Sequence, residues 1–100
     1  MIFIAKLVRD KIPEIMKSEG KNPATHIAGD EEYWKRLKEK LRLEAAEFSA
    51  NEKFEELASV LEVIRAIADF KKIDLKDIES MREKKAKERG GFKGRIVLDG

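Results

Sequence analysis

The apolar residues of positions 34–70 recur at helical spacing on both sides of a single interruption at Asn51, and this pattern constrains the fold more than any other feature. Trp34, Leu37, Leu41, Ala45 and Phe48 fall three or four residues apart, which predicts one helix with a single apolar stripe. From Phe54 to Phe70 the apolar positions Leu57, Ala58, Val60, Leu61, Val63, Ile64, Ile67 and Ala68 cover more than one stripe, as expected of a helix enclosed by neighbours or by another subunit. Asp30 is an expected N-cap for the first helix, with Glu31 and Glu32 in its first turn, and Asn51 an expected cap for the second. The expectation is an antiparallel helical hairpin with a turn near residues 49–51.

The flanks read as shorter elements. Asp10 is expected to cap a helix that carries Pro13 in its first turn, where a missing N–H does no harm, and that ends at Gly20. Residues 20–29 form a loop bearing His26. Asp74 caps a last helix whose apolar face is only Leu75, Ile78 and Met81 and whose remaining turns are charged and exposed; Gly90 and Gly91 stop it. Residues 2–8 suit a short strand or a buried extended arm, and residues 95–98 a terminal strand for which residues 2–8 are one candidate partner, a pairing that sequence alone does not fix. The fold class is thus all-α: about four helices in a hairpin-based bundle of one domain over residues 1–100, with short extended termini, oligomerising through the central helices.

One hundred residues leave room for a single core of ordinary size. Without cysteine there is no disulfide, thiolate zinc site or thiol chemistry, and His26 alone cannot build a histidine metal site. No apolar run approaches the roughly 20 residues that cross a bilayer, and no signal-peptide order is present, so the expected partners exclude membrane and the expected compartment is cytoplasmic. The polar set is dominated by lysine and glutamate, without glutamine, a bias associated with hyperthermophile proteins. Charge is unevenly spread. Residues 1–29 hold five basic and three acidic groups, residues 30–70 seven and eleven, and residues 71–100 ten and six.

Within the acidic middle, Glu44 and Glu47 lie three apart on one helical face, about 5–6 Å from each other and beside the apolar stripe. Glu56 borders the apolar face of the next helix, roughly as far from the turn as Glu47. Carboxylates crowded at the edge of a helix seam repel one another and desolvate poorly unless a cation joins them. Three such oxygens donors suit a hard ion, Mg²⁺ or Mn²⁺, which keeps waters and completes its shell with phosphate oxygens.

Four stretches also carry a family resemblance: Lys6-Leu-Val-Arg-Asp-Lys-Ile-Pro-Glu14, Lys40-Leu-Arg-Leu-Glu-Ala-Ala-Glu-Phe48, Glu55-Glu-Leu-Ala-Ser-Val-Leu-Glu-Val-Ile64 and Arg89-Gly-Gly-Phe-Lys-Gly-Arg-Ile-Val-Leu98. Together, and in this order, they resemble the MazG-like nucleotide pyrophosphohydrolases, above all the short house-cleaning NTP pyrophosphatases related to phosphoribosyl-ATP pyrophosphohydrolase. The resemblance implies a metal-dependent enzyme that cleaves a nucleoside triphosphate to monophosphate and pyrophosphate, working as a homo-oligomer, a dimer or a tetramer. It implies metal-ligand and catalytic roles for Glu44, Glu47 and Glu56. The family signature, Glu-Glu-x-x-Glu followed by Glu-x-x-Asp, is altered twice: Leu43 replaces the first glutamate, and Ser59, a weaker neutral ligand, replaces the aspartate. Glu62 lies one turn beyond Ser59 and could act through a water. Lys6, Arg9 and Lys11 at one end and Arg89, Lys93 and Arg95 at the other match the family's basic flanks, and their expected role is to bind triphosphate oxygens.

The remaining candidates have plainer readings. Trp34, Phe48, Phe54 and Phe70 fall at core spacing, while Tyr33, beside the stripe, is better placed for a base contact. His26 has no partner motif. The basic run of Lys84, Lys85, Lys87 and Arg89 is interrupted by Glu83 and Glu88 and has no interleaved aromatics, which argues against nucleic acid as a partner. The alternative to an enzyme is a relative whose site was lost with the change to Ser59, a nucleotide-binding or purely oligomeric module.

Overall fold

A computed structural model describes residues 5–100. It contains four helices, α1 (Ile12–Ser18), α2 (Asp30–Asn51), α3 (Phe54–Lys71) and α4 (Leu75–Arg89), and among the described residues no strand. The all-α expectation holds. The strand expected at 95–98 does not form: Arg95 has φ +57°, its N–H turns back to the Phe92 carbonyl at 3.1 Å, and Ile96 and Leu98 are exposed. An apolar, β-branched run needs a partner strand for its backbone groups, and no described residue is in a strand. The expected strand at 2–8 falls partly on residues 1–4, which lie outside the described residues.

The chain divides into two compact units, Met1–Ile67 and Ala68–Gly100. The first holds α1, α2 and most of α3. Helix α1 begins later than expected, because Arg9 to Ile12 form a tight turn (Ile12 N–H to Arg9 O, 3.0 Å) and Lys11, not Asp10, occupies the N-cap without a side-chain bond. Pro13 falls in the first turn, and Gly20, at φ +82°, lets the chain leave the helix. Its seven residues include no buried side chain.

Helix α2 also starts differently. Gly29 is its N-cap and Asp30 its first residue, so Asp30, Glu31 and Glu32 all act on the helix dipole rather than as a cap. Its inner face is centred on Leu37, 1% exposed, and Glu44, 7% exposed. Trp34, Leu41 and Phe48 are half-buried, but Ala45 is exposed, so the buried face is turned toward positions 37, 40 and 44 rather than 41 and 45. Glu52 and Lys53 alone separate α2 from α3. Glu52 adopts the left-handed conformation (φ +59°) with its N–H on the Phe48 carbonyl, and the Asn51 carboxamide oxygen accepts the Lys53 N–H at 2.9 Å. So short a link makes the two helices an antiparallel pair.

Helix α3 contributes Val63, 7% exposed, to the first unit's interior. Its breadth of apolar residues is not enclosed within the chain: Leu57 and Leu61 are exposed, and Phe54, placed at core spacing by sequence, is 79% exposed because it opens the helix at the hairpin's tip. In the second unit the Asp74 carboxylate accepts the Lys76 N–H at 2.9 Å and caps α4 as expected. No residue of α4 is buried, and Gly90 ends it at φ +85°.

Candidate metal centre

The hairpin sets Glu44 and Glu47, on one turn of α2, against Glu56, in the first turn of α3. Each offers one carboxylate oxygen such that all three lie within 4.8 Å of one another, and among the described residues this is the one cluster of metal-ligating side chains. Glu44 is buried, while Glu47 and Glu56 are half-buried. The Asn51 amide donates to Glu56 Oε1 at 3.5 Å, so the residue that closes the turn also steadies the carboxylate that follows it.

The cluster divides its charge unequally. Burial is the strongest influence on Glu44 and works to raise its pKa. The Lys40 ammonium and hydrogen bonds with Glu56 and Glu47 outweigh it, and Glu44 titrates below its usual 4.5. On Glu56 burial and the neighbouring Glu44 and Glu47 act in the same direction and raise its pKa. The crowding thus falls more heavily on Glu56 than on Glu44, which has the Lys40 ammonium beside it. Three oxygen donors this close fit a hard divalent cation, which would relieve the crowding of the carboxylates.

Two cavities adjoin the cluster. The larger, about 560 Å³, lies between residues 7–12, α2 and α3; Arg9, Lys11, Tyr33, Lys40, Glu44 and Ser59 are among its lining residues, with Leu37 and Val63 in its apolar wall. The smaller, about 440 Å³, is lined by Lys6, Arg36, Lys40 and Glu47 among others. Arg36 donates to the Ala5 carbonyl at 3.1 Å and pairs with Glu32 and Glu39, which ties the N-terminal segment to α2.

Lys6, Arg9 and Lys11 are thus brought to the walls of cavities that reach the carboxylates. Arg89 ends α4, and Lys93 and Arg95 follow it in the second unit. Ser59 is half-buried, with its hydroxyl 3.5 Å from the Arg9 guanidinium, while Glu62 lines the larger cavity without joining the cluster. His26 is engaged by Glu32 at 2.9 Å and stands apart from the cavities. Lys40 was not singled out by sequence reasoning. Its Nζ lies 3.0 Å from Glu44 Oε1, and the signal for it is the Lys–Glu spacing of four on a helix.

No family model matches the chain, and no solved structure matches it. An uncharacterized protein of Mycolicibacterium smegmatis is 45% identical to it over 47 residues, which is 47% of this chain and 48% of that protein. The matched stretch therefore spans about half the length of that relative. Among the described residues no helix is long and apolar enough to cross a membrane.

Proposed function

We propose that this chain is a metal-dependent nucleoside triphosphate pyrophosphohydrolase of the MazG-like type. The observation that carries the reading is the convergence of Glu44, Glu47 and Glu56 from two helices to within 4.8 Å. In the reaction a water oxygen bonds to phosphorus, the bridge between the α and β phosphates breaks, and monophosphate and pyrophosphate leave. Mg²⁺ or Mn²⁺, held by the three glutamates, would offset phosphate charge and acidify water. The chain's own part is to gather positive charge around that point: Arg9 and Lys11 line one adjoining cavity and Lys6 the other, where they can hold phosphate oxygens. Tyr33 and the apolar wall of the larger cavity suit the nucleoside end. The exposed apolar residues of α3, Phe54, Leu57 and Leu61, support a homo-oligomer, and a nucleotide substrate together with a cysteine-free chain supports a cytoplasmic enzyme.

The test is pyrophosphate release from a panel of canonical and damaged nucleoside triphosphates with Mg²⁺ and with Mn²⁺. Release that requires the metal and disappears in Glu44→Gln is expected. Absence of both turnover and metal-dependent binding overturns the reading.

A second reading is favoured by Ser59, whose contact is with Arg9 at the position where the family has an aspartate ligand. In that reading the chain binds nucleotides or assembles without hydrolysing them. Ser59→Asp separates the two. Turnover within about threefold of wild type is expected, since a new carboxylate beside Arg9 forms an ion pair of small net effect. Activity that emerges only in Ser59→Asp marks a site lost with the aspartate, and silence in both proteins marks a binding or assembly module.

A further inference from the structure

Lys40 stands one turn before Glu44 on α2, with its Nζ 3.0 Å from Glu44 Oε1. Both partners are withdrawn from water, their side chains 20% and 9% exposed. Of the basic side chains that line the two cavities, Lys40 is the one common to both: Arg9 and Lys11 share the larger with it, Lys6 and Arg36 the smaller. It therefore sits between the carboxylate cluster and each basic wall.

An ammonium and a divalent cation cannot share Glu44 comfortably. They compete for the same carboxylate lone pairs, and a dication in the cluster would leave a like charge close by, where reduced solvent screening strengthens the repulsion. The lysine stem is flexible and its head is a compact charge, so it can turn away. The spaces open to it are the two cavities, whose other lining groups include further cations. With Glu44 and Glu47 given over to the dication, the three cations of each cavity outnumber its remaining carboxylates, Asp10 and Glu62 in the larger and Glu39 in the smaller, so positive charge there is incompletely matched. A phosphate group is the ligand that lets the ammonium leave Glu44 at least cost.

We propose that Lys40 is an exchangeable counter-ion: it neutralises Glu44 when no divalent cation is bound, and transfers to a phosphate oxygen of the ligand when one is. The exchange rests on the metal centre proposed above and adds to it a coupling between cation and phosphate. Each ligand favours the other, and linkage makes the effect reciprocal.

The test compares Mn²⁺ binding, read from the free-ion signal by electron paramagnetic resonance, in wild type, Lys40→Met and Glu44→Gln, followed by binding of inorganic pyrophosphate to the Mn²⁺-loaded proteins. Lys40→Met is expected to bind Mn²⁺ roughly tenfold more tightly and pyrophosphate roughly tenfold more weakly, within the usual range of coupling between sites. A merely structural role would weaken both. Lys40→Arg should restore pyrophosphate binding. In the unaltered protein, the Lys40 side-chain NMR resonances should shift on adding Mg²⁺ and again on adding pyrophosphate, a measurement independent of whether Lys40→Met folds. Unchanged or weaker Mn²⁺ binding by a folded Lys40→Met, or Lys40 resonances indifferent to Mg²⁺, overturns the exchange. If wild type binds no Mn²⁺, or Glu44→Gln binds it equally well, the metal centre has failed and the exchange with it.

Discussion

The carboxylates of Glu44 and Glu56 face each other from the two arms of the α2–α3 hairpin, with oxygens within 4.8 Å, and their proton affinities are driven apart: Glu44 down, despite its burial, and Glu56 up. Lys40 accounts for much of the difference, since it pairs with Glu44 and not with Glu56. The cluster thus holds both a settled anion and a group that gives up its proton reluctantly.

This asymmetry predicts the pH dependence of the metal-free protein. The raised Glu56 binds its proton more tightly folded than unfolded, so its contribution to stability is present below pH 4.5 and is lost as pH rises through its folded pKa. The lowered Glu44 works oppositely: its contribution is present above pH 4.5 and is lost as pH falls through its folded pKa. Thermal melts in a chelator across pH should show Glu56→Gln removing part of the decline above pH 4.5. At neutral pH, Mn²⁺ should raise the Tm of wild type more than that of Glu56→Gln. Parallel curves for the two proteins would contradict the assignment.

Two leucines on the hairpin should respond differently to truncation. Leu37 is 1% exposed and walls the larger cavity, so Leu37→Ala should cost about 2–5 kcal/mol in denaturant melts. Leu61 is 62% exposed, and in an isolated chain Leu61→Ala should fall within about 0.5 kcal/mol of wild type. If α3 is covered by another copy, the Tm of wild type will rise with protein concentration and Leu61→Ala will remove that rise. A concentration-independent Tm with monomeric elution would rule out the oligomer.

The hairpin turn should be improvable. Glu52 occupies the left-handed region at φ +59°, a conformation that costs a non-glycine residue about 1 kcal/mol, so Glu52→Gly should recover up to that amount. Asn51→Ala should lose about 1 kcal/mol, because the Lys53 N–H loses its acceptor. It should also weaken Mn²⁺ binding, since the Asn51 amide reaches Glu56. Equal Mn²⁺ affinity in Asn51→Ala and wild type would show that the turn does not position the cluster.

Much of the hairpin was legible from spacing. Leu37 and Val63 sit where helical periodicity places them, because an apolar face of period 3.6 has few ways to be buried, whereas α2 runs on through Asn51 and the turn expected near 49–51 falls at Glu52 and Lys53. The carboxylate cluster was legible because a short turn between the two helices brings Glu47 and Glu56 together even when its position shifts by a few residues. Periodicity did not reveal the cap positions of α1 and α2, where a turn from Arg9 to Ile12 and the backbone of Gly29 displaced Asp10 and Asp30. It also overstated the burial of Phe54 and Ala45, since spacing reports which face a residue shares but not how far a partner extends over it.

By its own order of residues the chain determined an all-α fold, a hairpin turn placed to within a few residues and the three glutamates that meet across it, all consequences of local geometry repeated along a helix. Only the tertiary structure decided how far these groups are withdrawn from water. The Lys40–Glu44 pair is local to α2, but the burial of Glu44 and the placing of Lys40 on the walls of both cavities depend on which face of α2 the first unit covers, and that face is centred on Leu37.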